Sequence, residues 1–353
     1  MGLPVISDPR HDTIDAPNAL RRFGLSLIND ERDYPFLVLG AQISLVMIPL
    51  AVALFLPHVF RWWLPPAYFA VLFLVFFDRY TLMLHNTSHR VLFKPKYRFL
   101  NNYIPWVLGP LMGQSPEGYF GHHMGMHHPE NNLEDDLSTT MPYERHRFTH
   151  FLHYWFVFMT TSLFRLTSYL ATHKRRKLAY KAFIGEMLFY AVGITGLILA
   201  PGPTLTVFVV PYFTARFLMM WGNWGQHAFI DSPRPENCYV NSITCINTRY
   251  NRRCFNDGYH IGHHIKANRH WTEMPEDLEK NVALYAKEGA IVFEGIDFFQ
   301  VSLYLFLGRW NWLAARYVEL DGKGRTEDEI IAHLKSRTKP IVRDLPAAIP
   351  QPA

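Results

Sequence analysis

Four long apolar stretches, grouped in two pairs, dominate the pattern of this chain. Residues 36–57 carry no charge, and residues 62–84 carry only Asp78 and Arg79. The second pair, residues 183–200 and 203–222, is separated by Pro201 and Gly202. Each stretch is close to the roughly 20 residues that a helix needs to cross the hydrocarbon core of a membrane. The pattern predicts four transmembrane helices in two hairpins, near residues 36–57, 62–84, 183–200 and 203–222.

Three further apolar stretches are predicted to lie at the membrane surface. Residues 151–172 carry Arg165, and a crossing there would deliver the basic run 174–177 to the outer side, so an interfacial helix is favoured. The stretch 291–307, which contains two acidic residues, is interpreted in the same way. Residues 103–113 are too short to cross and contain two prolines, which predicts an interfacial loop or re-entrant turn.

Basic residues set the predicted orientation. They gather at 21–22, 90–98, 174–177 and 249–253, whereas the hairpin tips contain only Arg61. The positive-inside rule therefore places both termini in the cytoplasm and the protein in the inner, cytoplasmic membrane. The net charge of +5 is explained by these membrane flanks. It indicates no nucleic-acid partner, although a basic face could dock an acidic redox protein.

The composition fits this organisation. Hydrophobic residues make up 49% of the 353 residues, which suits long apolar segments separated by polar ones. We expect an all-α integral membrane fold with a cytoplasmic N-terminal segment (1–35), a membrane domain with a cytoplasmic helical cap (36–338) and a flexible tail (339–353).

Histidines are concentrated in three short boxes beside the apolar stretches. The boxes read HNTSH (85–89), HHMGMHH (122–128) and HIGHH (260–264), and a further histidine, His227, follows Asn223 by four positions. With the predicted hairpins, all of them face the cytoplasm. Neutral imidazole suits iron, copper and zinc, so the boxes predict a metal site at the membrane edge.

Helical spacing selects the candidate ligands within each box. Residues four apart share one face of a helix, which pairs His85 with His89 and His123 with His127. His122 remains an alternate to His123. The nine candidates exceed what one ion can hold, so two metal ions are expected. The candidate ligands are His85, His89, His123, His127, His128, His227, His260, His263 and His264.

Acidic residues are expected outside the ligand set, where they would orient the imidazoles. Asp78 and Asp257 are the candidates for this role, and Asp78 stands out because a charge within an apolar span is costly. Four further carboxylates could orient imidazoles or could be solvated loop residues, and the solvated alternative is favoured for each of them. They are Glu130, Asp135, Asp136 and Asp231.

Arg216 is the second costly charge within a predicted span. It lies seven residues before Asn223 and eleven before His227, on the same helical face. It could hold a substrate carboxylate, or it could pair with Asp78 inside the helix bundle. The structural pair is favoured.

Other metalloprotein classes fit these features less well. A membrane haem protein would carry histidines within its spans, a metal transporter would place ligands near the midplane, and a zinc protease would need a His-Glu-x-x-His run. A ferritin-like di-iron protein would need Glu-x-x-His pairs, which are missing from the sequence. A non-enzymatic membrane metal-binding protein stays as a lower-ranked alternative.

The order of hairpins and boxes resembles the membrane fatty acid desaturase superfamily. The match extends from about Phe36 to about His270, and the Asn223–His227 spacing is similar to that of stearoyl-CoA desaturases. The amino-acid sequences in and around the boxes also resemble those of the bacterial branch that contains the terminal-alkene-forming fatty acid decarboxylase. By this resemblance the nine histidines would bind two irons, and Asn223 would hold a metal-bound water.

The resemblance also implies the chemistry. The expected enzyme uses O2 and two electrons to abstract hydrogen from a fatty acyl chain, giving an alkene within the chain or, by decarboxylation, a terminal alkene. Hydroxylation or ketone formation on a fatty acid, alkane or carotenoid is the alternative within the same superfamily. Expected partners are a fatty acid or acyl substrate, membrane lipids, and an external donor such as ferredoxin, rubredoxin or cytochrome b5 with its reductase.

Overall fold

The computed structural model describes residues 2–11 and 17–342 and is predominantly helical. Four helical segments in it are long and apolar enough to cross a membrane: span 1 (Glu31–Phe55), span 2 (Leu64–His89), span 3 (Arg176–Leu199) and span 4 (Pro201–Gln226). The prediction of four spans in two hairpins is confirmed. The ends differ by up to seven residues, because the helices extend beyond the apolar stretches: span 1 begins five residues before its stretch, at Glu31, and span 3 begins seven residues before its stretch, at Arg176.

The extensions of spans 2 and 4 bring candidate site residues into these helices. Span 2 continues from its predicted end at residue 84 to His89, so both histidines of the first box lie in its last two turns. Span 4 continues to Gln226 and therefore includes Asn223. Apolar length fixes where a helix lies in a membrane, but it does not mark where the helix ends.

The spans are not uniformly α-helical. Span 2 contains a π-helical stretch at Val71–Phe76, and span 4 contains another at Leu205–Val209. Pro49 lies inside span 1, where it removes one backbone hydrogen bond. Sequence periodicity of 3.6 residues does not predict such wider turns.

The structure corrects the predictions for two of the three surface stretches. Residues 103–113, predicted as a loop or re-entrant turn, form short helical turns at Ile104–Leu108 and Gly109–Leu111. The stretch 291–307, predicted as one interfacial helix, divides into a strand at Ile291–Glu294 and a helix at Phe298–Phe306. Residues 148–172 do form a helix, which is not among the four candidate spans of the described residues.

The chain divides into two compact units. Unit 1 contains Met1–Arg10, Met126–Ser162 and Leu218–Ala353, and unit 2 contains His11–Gly125 and Leu163–Phe217. Unit 2 includes spans 1 to 3 and the first part of span 4.

Unit 1 is built on a short parallel β-pair that the sequence did not predict. Strand β1 (Ile243–Ile246) pairs with strand β2 (Ile291–Glu294), with Ile243 opposite Ile291. Parallel strands need a long crossover, and here the crossover carries the third histidine box on the helix His260–Ile265. Both strands are buried, so the pair is a rigid support for that helix. The crossover also contains the helices Arg249–Arg253 and Met274–Glu288.

The C-terminal segment is fastened to unit 1 by a fully buried arginine. Arg145 donates hydrogen bonds to the carbonyl oxygens of Ala228, Arg337 and Lys339 at 3.0, 2.9 and 2.6 Å. Ile341 donates its backbone N–H to Met141. The predicted flexible tail (339–353) is therefore attached at least to Ile341, and residues 343–353 lie outside the described part of the chain.

The remaining helices are short segments that connect these elements. In unit 2 they are Ala19–Leu27, Pro95–Asn102 and Gly118–His122, and in unit 1 they are His128–Glu130, Cys238–Asn241, Trp271–Glu273, Trp310–Ala314 and Glu327–Ser336. Span 1 itself begins with the 3-10 turn Glu31–Asp33.

Candidate metal centre

Three histidines converge in unit 2. His85 and His89 lie one turn apart at the end of span 2, and the Nε2 atoms of His89 and His123 are 2.9 Å apart. The ring centroids of His85 and His123 are separated by 4.6 Å. One nitrogen from each of the three lies within 4.8 Å of the others. This convergence gives one possible set of metal ligands.

Four histidines converge in unit 1. His127, His227, His260 and His264 each offer a nitrogen within 4.8 Å of the others. The Nε2 atom of His260 lies 3.2 Å from that of His227 and 3.0 Å from that of His264. His260 is therefore the central member of this group.

A pair of histidines accompanies this group in unit 1. The Nε2 atoms of His128 and His263 are 3.0 Å apart, and their ring centroids are 4.7 Å apart. Each of the nine candidate histidines thus has its ring nitrogen beside that of another candidate.

The second box contains a turn that its spacing did not predict. His123–His127 is π-helical, not α-helical. The i, i+4 spacing suggested one shared face, whereas His123 lies with His85 and His89, and His127 lies with His227, His260 and His264. Among the described residues, His122 belongs to none of these groups.

The Nδ1 atoms of two candidate ligands have hydrogen-bond partners in unit 1. His127 Nδ1 lies 2.7 Å from Asp136 Oδ2, and His227 Nδ1 lies 3.0 Å from the carbonyl oxygen of Asn241. Asp136 is itself fixed by hydrogen bonds from the backbone N–H and hydroxyl of Ser138, each at 2.8 Å. A partner at Nδ1 sets the tautomer and aims Nε2 inward.

Burial favours the neutral form of two unit 1 histidines, His227 and His264. Loss of hydration lowers the pKa of His227 to about 4, with a further lowering from His127. Burial, together with the neighbouring histidines, also lowers the pKa of His264 well below its usual value. Neutral imidazoles have a free lone pair at pH 7, which is the form that binds a metal.

The donor set fits a pair of transition-metal ions. Two nitrogens bound to one ion at right angles, with bonds of about 2.1 Å, lie about 3 Å apart. The four measured Nε2 separations, 2.9–3.2 Å, have this value. Imidazole-rich sites suit iron, copper, nickel and zinc, and they exclude the oxygen-liganded ions magnesium and calcium.

Asn223 is linked to the same region of unit 1. Its amide nitrogen donates to the carbonyl oxygen of Ser138 at 3.0 Å and to the hydroxyl of Tyr154 at 2.8 Å. Both amide hydrogens of Asn223 are therefore directed at unit 1 residues. Tyr154, Ser138 and Asn241 were missed by the sequence analysis, because contacts between distant segments have no local signal.

Asp78 and Asp257, the two carboxylates expected to orient imidazoles, both accept hydrogen bonds. Asp257 accepts hydrogen bonds from Tyr250 at 2.9 Å and Gln226 at 3.2 Å, and Asp78 accepts one from the backbone N–H of Arg79. Asp136, for which a solvated position was favoured, is fully buried and holds His127. The interpretation of Asp136 was therefore wrong. Asp231 pairs with Arg234.

The partner expected for Arg216 was also wrong. Arg216 pairs with Glu186 of span 3, not with Asp78, and its Nη2 atom lies 2.8 Å from Glu186 Oε1. Glu186 also accepts hydrogen bonds from Tyr190, Tyr212 and Ser115. Glu186 is the one carboxylate within residues 183–200, which were predicted only as an apolar stretch.

We expect Asp136→Asn to weaken metal binding about 10–100-fold, the usual effect of removing the partner of a ligating histidine. An amide at this position cannot reproduce the charged acceptor beside His127 Nδ1. Asp135→Asn is the matched control, since Asp135 is the exposed neighbour. Metal titration of the two purified variants checks the prediction. Equal affinities would show that Asp136 has no part in holding the metal.

One protein family matches most of the chain. The family described as fatty acid desaturase matches residues 60–295, which include all nine candidate histidines and spans 2 to 4. No curated protein and no solved structure matches. The family implies an oxidoreductase that acts on fatty acyl chains, and with four apolar helices it shows an integral membrane protein. Because the match covers more than half of the 353 residues, the chain belongs to the fatty acid desaturase family.

Proposed function

We propose that this protein is a non-haem di-iron oxidase that removes hydrogen from a fatty acyl chain with O2 and two external electrons. The observation that carries the proposal is the grouping of imidazoles within each unit, three in unit 2 and six in unit 1, with depressed pKa values at His227 and His264, in a chain of the desaturase family. Zinc could fill such a set, but it cannot exchange electrons.

The proposed ligands follow the measured groups. His127, His227, His260 and His264 would hold one iron, and His85, His89 and His123 would contribute to the second. His128 and His263 are proposed as further iron ligands, and Asn223 would hold a metal-bound water. Two reduced iron ions bound by these residues would supply the O2-activating redox chemistry that an unactivated C–H bond requires.

The protein's own residues would position this chemistry. Asp136 and Asn241 would hold the imidazoles of His127 and His227 in the tautomer that presents Nε2. Tyr154 and Ser138 would hold the Asn223 amide, so that its Oδ1 atom faces a water.

Two products are consistent with the proposal, and both balance. Desaturation converts a saturated –CH2–CH2– segment, O2, two electrons and two protons into an alkene and two waters. Oxidative decarboxylation converts a fatty acid, O2, two electrons and two protons into a terminal alkene, carbon dioxide and two waters. The resemblance of the box sequences to the decarboxylase branch favours the second product.

Product analysis tests the reaction. Purified protein is supplied with a saturated fatty acid, O2, ferredoxin and ferredoxin reductase, and the products are identified by gas chromatography and mass spectrometry. We expect a terminal alkene one carbon shorter than the acid, formed only with O2 and reductant. An internal alkene would assign the desaturase reaction, and an alcohol or ketone would assign the hydroxylase alternative. Unchanged fatty acid with iron-loaded protein would contradict the proposal.

The electron donor is proposed to be an external acidic redox protein. The helix Arg249–Arg253, which ends seven residues before the third box, presents Arg249 and Arg252 to solvent. Exposed basic groups steer an acidic partner by long-range attraction, which salt screens. The chain itself contains no His-Pro-Gly-Gly run of the kind expected for a fused cytochrome b5.

We also propose that the boxes and both termini face the cytoplasm. Cys245 and Cys254 are buried, so replacing Cys238 alone gives a background without an accessible thiol among the described cysteines. On it, Asn102→Cys, His173→Cys and Arg252→Cys should react with impermeant reagents only from the cytoplasmic side. His58→Cys should react from outside. Outside labelling at position 173 would mean that the helix Phe148–Thr172 crosses the membrane.

A further inference from the structure

An apolar crevice lies between spans 3 and 4 within unit 2. Its volume is about 240 Å³, and its wall combines aliphatic and aromatic side chains. Phe189 and Tyr212 are buried and stack with ring centroids 5.2 Å apart, forming the floor. Ile194 and Leu197 are exposed and form the rim. The crevice is lined by Phe189, Tyr190, Gly193, Ile194, Leu197, Phe208, Val209, Tyr212 and Phe213.

The two tyrosines in the wall contribute ring surface and not hydroxyl groups. The hydroxyls of Tyr190 and Tyr212 lie 2.6 Å apart, and both contact Glu186 Oε1, at 2.7 and 2.6 Å. Their hydrogen-bonding capacity is thus directed at the Glu186–Arg216 pair. The crevice consequently offers a ligand no polar partner among its described lining residues, which selects for a hydrocarbon.

The dimensions suit one acyl chain. Phe189 and Leu197 are eight residues apart on span 3, which is about 12 Å along a helix. A cavity of about 150 Å³ in another protein binds benzene, so a volume of about 240 Å³ is on the order of ten carbons. The crevice extends from the middle of span 3 almost to its end at Leu199.

We propose that this crevice binds one acyl tail of a membrane glycerolipid, from the leaflet that meets the turn between spans 3 and 4. The surroundings of a spanning hairpin are lipid chains, and an unfilled crevice would forfeit their dispersion contacts. The turn, residues 200–204, carries no charged residue to hold a fatty acid carboxylate. A lipid whose headgroup stays at the membrane surface places no charge in the hydrocarbon.

The site would act as a structural lipid site, independent of the metal centre. Its floor residue Tyr212 stacks on the Arg216 guanidinium, which lies 3.7 Å from the ring centroid. A bound tail would therefore pack against the side chains that hold the buried ion pair. Retention should depend on the tail and not on headgroup charge.

Two glycine variants test the proposal. A Cβ atom at Gly193 would meet nothing within 4 Å, so Gly193→Leu fills the crevice without a backbone clash. Gly40 in span 1 has the same open space and does not line the crevice, which makes Gly40→Leu the matched control. Leucine is also a better helix former than glycine, so neither variant is expected to fail to fold.

The lipid retained after extensive detergent exchange is measured by native mass spectrometry. We expect one glycerolipid on the wild type and on Gly40→Leu, and its loss from Gly193→Leu. Adding back phosphatidylcholine should raise the apparent Tm of the first two proteins by about 5 °C and leave Gly193→Leu unchanged. Phosphatidylglycerol should act equally.

Three outcomes would overturn the proposal. The first is equal lipid retention by Gly193→Leu and the wild type. The second is a folded wild type that retains no lipid and gains no stability from phosphatidylcholine. The third is displacement of the lipid by palmitate, which would assign the crevice to a free fatty acid. The iron content of Gly193→Leu is measured in parallel, so failure here is distinguishable from failure of the metal assignment.

Discussion

His260→Ala is expected to remove iron from the protein and to lower turnover. The loss should be more than about 100-fold, because removal of a residue that only orients a ligand already costs up to about 100-fold. The Nε2 atom of His260 neighbours those of both His227 and His264, so its removal opens the centre of the unit 1 group. His89→Ala should have a comparable effect through the unit 2 group. Iron is measured by elemental analysis and turnover by product formation.

His173→Ala is the control for both variants. His173 is an exposed histidine that stacks on Tyr169, outside the three groups. It should keep its iron and activity. Normal iron in His260→Ala, in protein whose helical circular dichroism is unchanged, would contradict the assignment of the unit 1 group.

Breaking the buried Glu186–Arg216 pair is expected to cost about 3–5 kcal/mol of stability, because either single replacement leaves an uncompensated buried charge. The two side chains are only 6% and 10% exposed. Glu186→Gln and Arg216→Leu should therefore each lower the apparent Tm and the yield of folded protein. The protein that does fold should form the same product.

A double variant tests whether the instability of each single variant comes from the unpaired charge that it leaves. Glu186→Gln combined with Arg216→Leu removes both charges and should recover much of the stability that each single change loses. Lys280→Gln, which breaks the exposed pair with Glu276, should have no measurable effect. If Arg216→Leu is stable and iron-loaded but shows a large rise in KM for fatty acids alone, Arg216 holds substrate, and the structural role is wrong.

Local patterns in the sequence predicted much of this molecule. Hydrophobicity over about 20 residues locates the four spans, and the three boxes together with the Asn223–His227 spacing identify all nine candidate histidines. The span ends were less accurate, because apolar length reports membrane thickness and the helices continue past it. His89 illustrates this, since it lies in span 2 five residues beyond the predicted end.

The features that were missed depend on contacts between distant segments. Strands β1 and β2 are four residues each and pair across a crossover, so neither has a local signal strong enough to identify it. Asp136 had the appearance of a loop carboxylate until the fold buried it against His127. Glu186 was the exception, because a carboxylate within an apolar span is visible in the sequence and indicates a buried partner.

The central claim is that the histidine groups form a di-iron centre. Iron is counted by elemental analysis in protein produced with sufficient iron, and Mössbauer spectra are recorded on the same sample. We predict close to two irons per chain, with parameters of nitrogen-liganded, non-haem iron, and little zinc. Zinc in place of iron, or iron that stays bound in the His260→Ala and His89→Ala variants, would contradict it.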